Sequence, residues 1–131
     1  MSGPASLAAI FAELRDRIGH WRRHAMGVDT DLEADFAEWF GLRPAEARLL
    51  ATLYLAGGRP CPVDRLADAG KIGPPTVSVR VFHVRSAMEA EAIDSAKGQG
   101  YWLTDVGMAE CKLAIEALNL PPVGIAFEDA A

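Results

Sequence analysis

Along the first forty positions, apolar residues recur at helical rather than alternating intervals. Leu7, Phe11, Leu14, Ile18 and Trp21 stand four, three, four and three residues apart, with Ile10 widening the stripe. This spacing predicts an amphipathic helix from about Ser6 to His24, with a seam like that of a short coiled coil. A break follows at Met26–Thr30, and Thr30 or Asp31 can cap a second helix carrying Leu32, Phe36, Trp39 and Phe40. Pro44 suits the first turn of a third, lined by Leu49, Leu50, Leu53 and Tyr54 and stopped at Gly57-Gly58. A short fourth helix spans Val63 to Ala69, and after a turn at Gly70–Pro75 a fifth is predicted over 76–92.

Beyond residue 92 the period changes. Ile93–Ser95 and Tyr101–Thr104 are short extended candidates around Lys97-Gly98-Gln99-Gly100, whose glycines permit the positive φ of a tight turn. A hairpin is predicted there, then a last helix capped by Thr104 or Asp105 and bearing Val106, Met108, Leu113, Ile115 and Leu118. The expected class is mainly α with one small β-hairpin. The expected divisions are an N-terminal helical extension (1–40), a central helical domain with hairpin (41–104), a C-terminal helix (105–120) and a loose acidic tail (121–131).

The net charge of −5 weighs against nucleic acid until its distribution is considered. Residues 1–40 carry four Lys/Arg against seven Asp/Glu, residues 105–131 one against five, and residues 41–104 eight against six. From Lys71 to Met88 there is no acid at all, while Lys71, Arg80 and Arg85 are basic. A local positive face on an acidic chain is therefore expected.

The central region resembles the DNA-binding effector domain of OmpR/PhoB-type response regulators. Leu42–Leu50 (LRPAEARLL) is similar to that family's LTPTEFRLL, and Gly58-Arg59 with Val63–Ala67 to its GR…SREQLL. Val77–Met88 lies without gaps on VDVHISRLRKKL, and Ile93–Leu103 (IDSAKGQGYWL) on IETVRGxGYRL. More weakly, Leu103–Gly107 (LTDVG) resembles the LTxxG that follows the wing in MarR-like regulators. The resemblance implies a winged helix-turn-helix, with a recognition helix in the major groove and the wing against the minor groove or backbone. The chain departs from the family in three ways. The 41 residues before Leu42 are too few for a receiver domain, a helix replaces the leading strands, and His83, Ser86 and Ala87 stand where basic residues are common.

On the predicted fifth helix, Val77, Val81, Val84 and Met88 share one face and belong to the core. Val79, Phe82, His83, Ser86 and Ala90 point away, flanked by Arg80 and Arg85. The candidate DNA contacts are Thr76, Ser78, Val79, Arg80, Phe82, His83, Arg85 and Ser86 from this helix, and Lys97, Gln99 and Tyr101 from the hairpin. Apolar side chains suit thymine methyls, and arginine suits guanine edges or phosphates. The plainer alternative is that Arg80 and Arg85 only solvate the helix while Phe82 packs on the first helix. Arg22-Arg23-His24, beside Trp21, could touch phosphate, but reads rather as a solvated helix end near the negative pole of the helix dipole. Leu7, Phe11, Leu14, Ile18 and Trp21 either fold back on the domain or pair with a second copy. Fewer than three heptads seldom hold alone, so a homodimer is expected to use the C-terminal helix from Val106 to Leu118 as well, and it would suit palindromic half-sites.

Catalysis finds no footing. His20, His24 and His83 form no metal-ligand pattern with Cys61 and Cys111, and no nucleophile elbow or phosphate-binding loop occurs. No enzyme activity, cofactor or metal is expected. With no apolar run of bilayer length and no secretory leader, the expectation is a cytoplasmic protein. Its partners would be double-stranded DNA and a second copy, and the alternative is a non-catalytic module that binds another protein.

Overall fold

The computed structural model describes residues 6–119, so the acidic tail expected at 121–131 lies outside the described residues. Six helices and one antiparallel hairpin follow in the order α1 (Leu7–Met26), α2 (Asp31–Phe40), α3 (Pro44–Leu55), α4 (Val63–Gly70), α5 (Val77–Ala87), β1 (Ile93–Ala96), β2 (Gly100–Leu103) and α6 (Asp105–Leu118). The coarse class expected from the sequence, mainly helical with a small hairpin, is what the chain adopts. Among the described residues no helix is long and apolar enough to cross a membrane.

The caps explain where several helices begin. Ser6 Oγ accepts from Ala9 N–H at 3.1 Å to start α1. Thr30, rather than Asp31, caps α2. Its hydroxyl accepts from Glu33 N–H at 3.1 Å, while Glu33 Oε1 accepts from Thr30 N–H at 3.3 Å, a reciprocal capping box. Thr104, rather than Asp105, caps α6 by accepting from Gly107 N–H at 3.3 Å.

α3 is the hub. Leu49, Leu50 and Leu53 are buried and meet Phe36 of α2, Leu66 of α4, Val77, Val81 and Val84 of α5, and Leu103 of β2 in one core. Phe36 stands edge-on to Tyr54, with ring centroids 5.7 Å apart. α6 packs on α2 and adds Cys111 to the same core. Burial pushes the Cys111 thiol up to about 12, with Glu110 adding to the shift, and raises Cys61 as well; both are free. They act as small core residues.

Two features set the hairpin. Ile93 pairs with Leu103 and Ala96 with Gly100, leaving Lys97, Gly98 and Gln99 as the loop. Tyr101 also bridges to Cys61: Cys61 N–H donates to Tyr101 O at 2.7 Å and Tyr101 N–H to Cys61 O at 3.0 Å. The segment between α3 and α4 thus lies against β2 like the edge of a third strand. Gly100 makes this approach possible, since a Cβ there would fall 1.9 Å from Cys61 O and its φ is +98°.

The helix expected over 76–92 is shorter. Thr76 belongs to a preceding 3₁₀ turn (Pro74–Thr76), and α5 ends at Ala87. Met88 is extended (φ −115°, ψ 172°) and buried, Glu89 N–H donates to Glu110 Oε1 on α6 at 2.9 Å, and Glu91 adopts φ +68°. Burial of Met88 and Ala92 outweighs the helical propensity of this stretch, so Ala90 is not on the outer face of α5.

Candidate nucleic-acid interface

α5 has a buried side and an open one. Val77, Val81 and Val84 are buried against α3. Ser78, Val79, Phe82, His83 and Ser86 are exposed, Val79 by 53 % and Phe82 by 64 %. Phe82 therefore does not pack on α1; its ring lies tilted beside His83 with centroids 6.1 Å apart. Two hydroxyls are already engaged with backbone: Ser86 donates to Phe82 O at 2.9 Å, and Thr76 donates to Gly73 O at 2.8 Å.

Glu46, on the first turn of α3, changes the charge of this face. Its Oε1 accepts from Arg43 N–H at 3.1 Å, capping α3. Its Oε2 accepts from Arg80 Nη1 at 3.3 Å and lies 3.0 Å from His83 Nδ1. Burial alone would raise the Glu46 pKa, but the Arg43 N–H, His83 and Arg80 outweigh it and hold the carboxyl below its ordinary value. An ionised carboxylate only accepts, so His83 Nδ1 carries the hydrogen. Arg80 and His83 are thus drawn down onto an acid from another helix.

Arg85 is half-buried, with Nε lacking a hydrogen-bond partner among the described residues. It lines an open cavity of about 690 Å³ between α5, the hairpin and the start of α6, with Glu91, Asp94 and Asp105 around it. Lys97 and Gln99 are exposed on the hairpin loop, and Lys97 makes no ion pair among the described residues. Tyr101 is half-buried against the core, its backbone committed to Cys61.

The remaining basic residues are placed otherwise than the sequence suggests. Lys71 Nζ lies 3.4 Å from Asp29 Oδ2. Arg22 Nη1 pairs with the buried Asp35 at 2.8 Å and Nη2 with Glu38 at 3.0 Å, while Arg23 pairs with Asp31. The cluster Arg22-Arg23 is therefore a clamp between α1 and α2, not a solvated helix end. Sequence reasoning passed over Arg59 and Arg65, two exposed cations whose fields reach Cys61 beside β2. They stand two and four residues from Cys61, but their place beside β2 depends on the Cys61–Tyr101 bridge, which no local pattern announces. Among the described residues no group of three or more His, Cys, Asp or Glu side chains could hold a metal ion.

No protein-family model matches the chain, and neither a curated protein nor a solved structure matches it.

Proposed function

We propose that the chain is a sequence-specific DNA-binding transcriptional regulator built as a winged helix-turn-helix. In this reading α3, α4 and α5 form the three-helix unit, β1 and β2 the wing, and the Cys61 segment the short strand beside it. The observation that carries the reading is the uncovered outer side of α5, where Ser78, Val79, Phe82, His83 and Ser86 are all exposed. A duplex needs such a face, and nothing in the described residues seals it. Val79 and Phe82 offer apolar contact to thymine methyls, Ser78 and Ser86 offer hydroxyls, and Lys97 and Gln99 reach from the hairpin loop toward backbone or minor groove.

A second reading is favoured by one specific observation. Glu46 neutralises Arg80 and engages His83, so positive charge along α5 is interrupted and its most exposed large side chains are the apolar Val79 and Phe82. A face of that kind also suits a protein partner, with the winged scaffold holding it rigid.

Selection of bound duplexes from a random pool separates the two. DNA reading predicts enrichment of a defined sequence, which Phe82→Ala relaxes and the double variant Arg85→Ala, Lys97→Ala weakens across all sequences. Failure to enrich any sequence over the input pool would transfer support to the protein-binding reading.

A further inference from the structure

α1 is a 20-residue helix with no buried residue, and every position from Ser6 to Ile18 is exposed. Its six large apolar side chains, from Leu7 to Trp21, are between 41 % (Ile10) and 71 % (Leu7) exposed. They form one stripe. The half-buried residues Gly19, Arg22, Arg23 and Met26 mark the side of α1 that faces the body. At 3.6 residues per turn, the stripe is centred roughly 120° around the helix from that side. Closer docking of α1 on its own body would therefore not cover it. The stripe exposes on the order of 700 Å², beyond the roughly 300–600 Å² typical of a monomer's largest patch and near the ~800 Å² per partner of a standard interface. A free-standing helical segment of this length is also marginal in water, so the N-terminal half of α1 needs a cover.

We infer that the cover is α1 of a second copy, laid antiparallel about a two-fold axis at Leu14. This rests on the α1 stripe alone and not on DNA binding. Three observations select the occupant. First, the C-terminal end of α1 is fixed to α2 by Arg22–Asp35 and Arg23–Asp31, while among the described residues every position from Ser6 to Ile18 is exposed. Antiparallel packing lays each exposed half on the anchored half of the other copy. Second, the two-fold sets small against large: Leu7 meets the partner's Trp21, Phe11 approaches the partner's Ile18, and Leu14 meets itself. A parallel pair would instead oppose Trp21 to Trp21. Third, the exposed half of α1 carries Glu13 and Asp16 against Arg15 and Arg17, equal in number. Two copies approach without the repulsion expected of the chain's −5, and the two-fold lays the flank carrying Glu13 and Arg17 along the same flank of the partner, with Glu13 within a turn of the partner's Arg17. The same balance gives an anionic bilayer no cationic face to attract.

Sedimentation velocity at micromolar concentration gives the mass, and engineered cysteines give the register. The expected mass is twice the 14.0 kDa of the chain. On oxidation, Leu14→Cys forms a covalent dimer, because a disulfide needs Cα atoms within about 7 Å. Leu7→Cys does not, since antiparallel copies hold those positions about 20 Å apart. The native Cys61 and Cys111 are buried and stay out of the reaction. Both substitutions sit at exposed positions, so the fold tolerates them. A monomer at every concentration overturns the inference, including a monomer that binds phosphatidylglycerol vesicles or one whose residues 120–131 prove to lie on the stripe. Cross-linking through Leu7→Cys as readily as through Leu14→Cys overturns the antiparallel register.

Discussion

With 6 % of its side chain exposed, Glu46 carries a charge that water reaches poorly, so its ionisation depends on the N–H groups around it. The Arg43 N–H fastens it to α3, while Arg80 and His83 approach from α5. One carboxylate therefore caps a helix, ties two helices together and withholds charge from the outer face. Glu46→Gln keeps an oxygen for the Arg43 N–H but releases Arg80 toward solvent. It should cost about 1.5–3 kcal/mol of stability, the range of hydrogen bonds to a charged group. If DNA is the partner, it should also bind duplex more tightly at low salt, with a log–log salt slope steeper by about 0.9 for one added phosphate contact. The lowered pKa fixes the sign of the acid response. The stabilisation is complete above the ordinary pKa of 4.5 and is lost as pH falls through the lower folded value. Denaturant melts at stepped acidic pH should show the wild type losing stability there more steeply than the Gln variant. Parallel acid profiles would contradict this account of Glu46.

The hairpin depends on a contact between distant parts of the chain. Gly100 lets β2 approach the Cys61 segment, so Gly100→Ala must push two backbones apart and strain a φ of +98°. A loss of about 2–4 kcal/mol is expected in chemical unfolding, with amide exchange at Cys61 and Tyr101 rising first. Retention of slow exchange at both amides would show that the bridge is dispensable. Such cross-chain contacts also mark where the sequence is hard to read. Caps, helix periods and the glycine-tipped turn are local, and they place all six helices and the hairpin within a few residues. The end of α5 is not local, because burial of Met88 and the bond from Glu89 to Glu110 involve α6. Gly107 is similar: a Cβ there would fall 2.2 Å from Ala92 O, a close approach visible only once α6 is docked.

Charge was the least legible property, because a window free of acids in sequence is not free of them in space. The Lys71–Met88 stretch meets Asp29 through Lys71 and Glu46 through Arg80 and His83. What remains of the positive face is Arg85 in an acidic cavity and Lys97 on the loop, with Arg59 and Arg65 near β2. The placement of the apolar residues was more legible. The valines of α5 lie inward, Val79 and Phe82 lie outward, and the stripe of α1 is left open. A DNA-binding molecule with so few free cations should contact few phosphates and draw its discrimination from the apolar face.

Fluorescence anisotropy of a labelled duplex, titrated with protein across a range of salt concentrations, tests the DNA-binding reading most directly. Two to four phosphate contacts predict binding at low salt with a log–log slope of about −2 to −4, made shallower by roughly one in Lys97→Ala. A flat titration at the lowest salt, or binding indifferent to salt and to Lys97→Ala, would contradict it.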